Sequence, residues 1–166
     1  TAPKDGPHAW TKEQLLTDEK NLFEHNIVRD RIVHTMNEVT QDISVGKTEI
    51  MELSHLYHLR TIITAKDSTK SLIEWAKLLH PTPALGGEPR DKALALLQQY
   101  EAHERGMYAA PFGFMKDMGD GIIVVAIRSA LIMDNVLYAY AGCGVVADSD
   151  ADEEYIETNN KMRTIL

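Results

Sequence analysis

Cysteine is almost absent from this chain: Cys143 is the only one in 166 residues. An internal disulfide and a thiolate cage for a metal are thereby excluded, and the composition fits a reducing, cytoplasmic setting. Cations are scarce as well, 17 Lys and Arg against 25 Asp and Glu, for a formal net charge of −8. With no basic face, nucleic acid is not an expected partner, although a few local cations suffice to hold a small anion. Long apolar runs are also missing. The run "GIIVVAI" at 121–127 is far too short to cross a bilayer, so no membrane partner is expected. No signal-peptide pattern is read ahead of the first helix-like stretch. The chain opens on Thr1 rather than Met, without a processing signal, which points to a fragment of something longer.

What is present is an ordinary globular mixture, 44% hydrophobic and 25% charged, at a length suited to a single domain over residues 1–166. Apolar pairs at helical spacing predict one helix from about Thr11 to Val39, with Thr11 as its N-cap. Short strands are expected around Gly46, and the alternation of "SHLYHLRTIITA" (54–65) predicts another strand. A helix over 68–79, capped by Ser68 or Thr69, and a second from Asp91 to about Ala102 flank "HPTPALGGEPR" (80–90). Three prolines and two glycines make that segment stiffer than a plain connector needs to be. Three strands follow, 106–115, 121–131 and 136–146, with "KDMGDG" and "MDN" as turns in an antiparallel meander. A last helix starts at Ser149 or Asp150, where Asp150 and Glu153 have capping-box spacing. The order of elements indicates an α+β fold with an antiparallel sheet and packed helices.

Four polar features do not fit a plain core and surface. Glu24 falls in line with Val28, Ile32 and Met36 at four-residue steps, so it either ends the stripe in solvent or needs a cation, a proton or several donors. Glu154, Glu157 and Lys161 share one helical face, apart from an apolar face of Tyr155, Met162 and Leu166. Such a trio is either a solvated ladder or, together with Glu24, a set of hard oxygen ligands for a divalent cation. Arg128 follows "IIVVAI" in what should be a central strand and, by alternation, shares a face with Ile122, Val124 and Ala126. There it wants an acidic partner, from the protein or from a ligand; the alternative is an exposed strand end. Gly142 and Gly144 sit within "YAGCGVV", where strand glycines mark a bulge or a close approach. His58, in the alternating strand, reads equally as a core histidine.

The segments "DEKNLFEHNIV", "HPTPALGGEPR", "ERGMYAAPFGF", "VAIRSAL", "YAGCGVVADSDADEEYIETNNK" and "MRTIL" occur in the order found in the chorismate-utilising enzymes. The chain resembles the C-terminal part of that family, which includes isochorismate, salicylate, anthranilate and aminodeoxychorismate synthases. "HPTPALGG" resembles the isochorismate synthase branch, and the whole is most similar to its bacterial menaquinone-pathway members. The resemblance implies Mg²⁺ on Glu24 and Glu157, with Glu154 in support through water; Asn21 stands where relatives often carry an acid. It implies that the metal, Lys161 and the backbone at Gly142 hold the ring carboxylate of chorismate. Arg128 and Tyr108 would grip the enolpyruvyl carboxylate, His58 would lie near the ring hydroxyl, and Ala84 and Leu85 would line the ring. The same resemblance places the water-activating lysine and the acid glutamate ahead of this segment, so the fragment is expected to be inactive alone. Its open strand edges make self-association a further expectation. A salicylate synthase and a non-catalytic binding module are the alternative readings.

Overall fold

The computed structural model describes residues 1–66, 69–163 and 165, in two compact units, Thr1–Thr69 and Lys70–Leu166. In the first unit, β1 (Ala2–Pro3) is followed by α1 (Lys12–Thr17) and α2 (Glu19–Asn37). Four short strands complete it: β2 (Ile43–Val45), β3 (Glu49–Glu52), β4 (Leu56–Arg60) and β5 (Ile63–Ala65). Thr11 caps α1 as expected, in a reciprocal box with Gln14. The single helix expected from Thr11 to Val39 is two. Asp18 is extended (φ −74°, ψ 118°); it closes α1 and caps α2, its side chain accepting from the Asn21 N–H.

The expected strand over 54–65 is likewise two strands serving different sheets. β4 is the centre of an antiparallel β1-β4-β3 sheet, whereas β5 pairs with β2. The core forms where Leu15 of α1, fully buried, meets Ala2 of β1 and Leu59 of β4, with Trp10, Leu22, Ile50 and Tyr57 packed around them. Along β4, Leu56 and Leu59 are buried and His58 is exposed, so His58 is not a core histidine.

The second unit holds α3 (Leu72–Leu79), α4 (Pro83–Gly86), α5 (Arg90–Tyr100), strands β6 (Pro111–Met115), β7 (Gly121–Val125), β8 (Ser129–Met133) and β9 (Val136–Tyr140), and α6 (Ala151–Met162). The N-cap of α3 is Ser71, in a box with Glu74, and not Thr69; Ser68 lies outside the described residues. The expected three-strand meander is instead two separate hairpins, β6-β7 and β8-β9. They part because the Ile127 N–H turns back to the Val125 carbonyl (2.8 Å) and Ser129 Oγ donates to the Ala126 carbonyl (3.1 Å). Arg128 sits in that break in the left-handed region, φ 52°, so it does not continue the face of Ile122 and Val124. Strand β9 ends at Tyr140, so Gly142 and Gly144 lie in irregular chain after it.

The expected turns are found, with Gly119 at φ 92° in the first and Asp134 and Asn135 left-handed in the second. Asp150 caps α6, its carboxylate accepting from the Asp152 and Glu153 N–H groups. Of the apolar face expected on this helix, Tyr155 is 69% exposed and Leu166 lies outside the described residues. No helix among the described residues is long and apolar enough to cross a membrane.

Two outcomes follow from this packing. A Cβ on Gly113 of β6 would lie 2.0 Å from the Ile122 carbonyl oxygen of β7. Gly113→Ala should therefore cost about 2 kcal/mol in urea unfolding, whereas Met118→Ala, at a site 91% exposed, should stay within about 0.5 kcal/mol of wild type. In the first unit, Lys12 (2.6 Å) and Lys4 (2.5 Å) converge on Glu52. Their hydrogen bonds pull its carboxyl down from 4.5 to about 2. A depressed carboxyl contributes stability above its unfolded value and loses it as the pH falls through the folded one. The stability gap between wild type and Glu52→Gln should thus close between pH 4.5 and about 2, and narrow in high salt because the groups are exposed.

Candidate functional site

The second unit gathers most of the expected binding residues in one place. Helix α6 presents Glu154, Glu157 and Lys161 on one face, as their spacing requires. They are not a solvated ladder. Glu154 is only 6% exposed, and its Oε1 accepts from Ser149 Oγ (2.7 Å), which itself accepts from the Val146 N–H (3.0 Å). Lys161, with a side chain 13% exposed, pairs with Glu157 and donates to the Gly142 carbonyl at 3.0 Å. These ties hold the irregular segment 141–149 against the helix.

Tyr108 also stands against Gly142. A Cβ added to this glycine would lie 3.1 Å from the Tyr108 hydroxyl. The tyrosine is set by a tight turn, its N–H donating to the Arg105 carbonyl (2.8 Å), with Ala109 left-handed and buried next to it. Its ring stacks on Tyr140 at the end of β9, centroids 5.4 Å apart and planes 15° from parallel. Burial pushes the Tyr108 phenol upward, so it stays a neutral donor at neutral pH. Arg128 shares this electrostatic environment. Burial works against its charge, and Glu157 and then Tyr108 offset that penalty.

The proline segment is pinned from outside. Arg105 donates to the Leu85 carbonyl (2.7 Å) while forking onto Glu101, and Arg90 donates to the His80 carbonyl (2.9 Å). The His80–Pro81 and Glu88–Pro89 bonds are cis. Gly86 fits beneath Pro81 and Leu94, where a Cβ would lie 3.0 and 3.2 Å from their side chains. Leu85 is half-buried and Ala84 exposed. Arg105 and Tyr140 were not singled out by sequence reasoning. The Glu101 to Arg105 spacing of four was the available signal for the first; nothing local marks the second.

Glu24 and His58 belong to the first unit. Glu24 is half-buried on α2, one turn after Asn21, whose Oδ1 accepts from the Thr1 nitrogen (3.0 Å) and whose Nδ2 donates to Asp18 (2.8 Å). His58 Nδ1 shares a hydrogen bond with Thr1 Oγ1 at 2.7 Å. By chemistry alone, Glu154 and Glu157 in the second unit and Glu24 in the first each carry hard oxygens of the kind Mg²⁺ takes, while burial raises the pKa of Cys143 and keeps it a thiol. Among the described residues no three His, Cys, Asp or Glu side chains come together as a metal cage.

The chain is similar to known proteins along nearly all its length. A family model described as chorismate binding enzyme matches residues 4–166. Isochorismate synthase MenF of Bacillus subtilis is 37% identical over 157 residues, 92% of this chain and 33% of that protein. The salicylate biosynthesis isochorismate synthase of Pseudomonas aeruginosa is 36% identical over 90% of this chain and 32% of its own. Among solved structures, MenF, the menaquinone-specific isochorismate synthase from Escherichia coli, superposes with a TM-score of 0.81 at 33% identity, covering 93% of this chain and 37% of that one. The chain thus spans about a third of the length of these curated relatives. Its helices and antiparallel hairpins are the corresponding part of their α+β fold, and the chain belongs to the family of chorismate-binding enzymes.

Proposed function

We propose that this chain is the carboxylate- and metal-binding portion of a Mg²⁺-dependent isochorismate synthase that converts chorismate to isochorismate for menaquinone synthesis. The observation that carries the reading is the constellation in the second unit. The neutral phenol of Tyr108 lies against Gly142, whose carbonyl accepts from Lys161, while Glu157 pairs with Lys161 and offsets the burial of Arg128. A substrate with two carboxylates needs positive or donor groups at two places. This arrangement supplies both within one unit.

Arg128 offers a planar fork for the enolpyruvyl carboxylate, and Tyr108 adds a hydroxyl donor. Lys161 faces the ring carboxylate together with the backbone at Gly142. Leu85 and Ala84, on the segment that Arg105 and Arg90 pin, form an apolar wall for the ring. His58 is assigned to the ring hydroxyl. Glu157 and Glu24 are the carboxylates that the family likeness assigns to Mg²⁺; Glu154 holds the 141–149 segment through Ser149. Bound there, the metal would neutralise and orient a carboxylate. The reaction adds water at one ring carbon as hydroxide leaves another, so no oxidant or reductant is required. The charged contacts serve mainly to orient the ring.

Isothermal titration of chorismate into the chain tests the reading. Binding should require Mg²⁺, vanish with EDTA and return when Mg²⁺ is restored. Glu157→Gln should abolish that requirement together with binding, and Glu154→Gln should do less. Arg128→Lys should weaken binding roughly ten- to a hundredfold, the cost of a lost charged hydrogen-bond pair. Equal affinity with and without the metal would remove Mg²⁺ from the account, and an unchanged Arg128→Lys would remove the carboxylate assignment. A salicylate synthase of the same family is the competing reading for the parent. Product chromatography with the parent enzyme separates isochorismate from salicylate plus pyruvate.

A further inference from the structure

A tyrosine hydroxyl that must meet a carboxylate has to be aimed, because two rotatable bonds separate it from the backbone. The backbone of Tyr108 is fixed by its turn and by the next two residues: the Ala109 N–H donates to the Ala126 carbonyl (2.9 Å), and the Ala126 N–H donates to the Ala110 carbonyl (2.9 Å). The side chain is fixed by two other residues. Tyr140 lies flat against one face of the ring, and Gly142 abuts its tip, where even a methyl group would sit 3.1 Å from the hydroxyl oxygen. Gly142 is itself held by Lys161 on its carbonyl. Ring, glycine and lysine therefore form one chain of contacts from β9 to α6.

We infer that Tyr140 and Gly142 are positioning residues that aim the Tyr108 hydroxyl: Tyr140 as a stacking platform, Gly142 by the space its missing side chain leaves. That the aimed hydroxyl serves a substrate carboxylate rests on the function proposed above. The geometry separates the two roles. The platform needs an aromatic ring but no hydroxyl, so phenylalanine can replace Tyr140 and leucine cannot. The glycine is needed only because Tyr108 carries its oxygen, so removing that oxygen should make alanine acceptable at 142.

The test reads the Tyr108 ring directly, through its ring-current-shifted resonances in tyrosine-labelled chain, alongside chorismate affinity in Mg²⁺. Tyr140→Leu and Gly142→Ala should each shift the Tyr108 resonances and weaken chorismate roughly two- to tenfold, the range of one aromatic pair. Tyr140→Phe should preserve both. The double variant Tyr108→Phe/Gly142→Ala should bind chorismate as well as Tyr108→Phe alone. Tyr108 resonances indifferent to Tyr140→Leu would overturn the platform role. A double variant weaker than Tyr108→Phe would overturn the steric role of Gly142. Shifted resonances with unchanged affinity would reduce the pair to packing. Wild-type chain that binds no chorismate would instead defeat the proposed function, while the resonances still decide whether Tyr140 and Gly142 aim the phenol.

Discussion

The ammonium of Lys161 is the contact through which the polar cluster of the second unit is organised. Its side chain is largely withdrawn from water, which is tolerable only because it keeps two strong partners, the Glu157 carboxylate one turn earlier and the Gly142 carbonyl. The first partner is local to α6; the second reaches back 19 residues. That second bond fixes the segment following β9, and with it the glycine beside the Tyr108 hydroxyl. Glu157 also offsets the burial of Arg128, so this carboxylate serves both cations. Two cations and a phenol donor are thus held near one another in the candidate site.

The two units reach order by different routes. The first closes a small apolar core around Leu15, with β1, β4 and the helices each contributing a side chain. The second has hairpins of five-residue strands whose apolar side chains stay largely in solvent, every residue of β6 among them. Two-stranded hairpins bury little by themselves. Polar ties therefore carry more of the local geometry there: Arg105 onto Leu85 and Glu101, Ser149 onto Glu154, Lys161 onto Gly142. These are also the ties that shape the candidate site.

Much of this was legible in the linear chain where the determinant is local. The Thr11 and Asp150 caps, the "KDMGDG" and "MDN" turns, and the shared face of Glu154, Glu157 and Lys161 all follow from spacing within a few residues. Local rules misled where one residue answered to two neighbours. Asp18 has the short acidic side chain of a cap, yet it sits within a continuous apolar period, and the cap prevailed. Alternation carried the strand through Ala126 to Arg128, but the backbone turned back on itself there, and the arginine faces Glu157 by way of a left-handed residue. Ser71 and not Thr69 caps α3 because Ser71 stands three residues before Glu74, which answers it.

By itself the sequence determined which chemistry is available: carboxylates, a lysine and an arginine of the kinds that hold a hard cation and an anion, and no thiolate cluster. It also set which of these share a helical face, since that depends only on 3.6 residues per turn. Only the tertiary structure decided their partners. It buried Glu154 against Ser149, turned Lys161 onto a loop carbonyl, and laid Tyr140 beneath Tyr108, 32 residues earlier in the chain. Helical spacing is periodic and local, whereas these pairings depend on how far a loop folds back and on which groups lose water together.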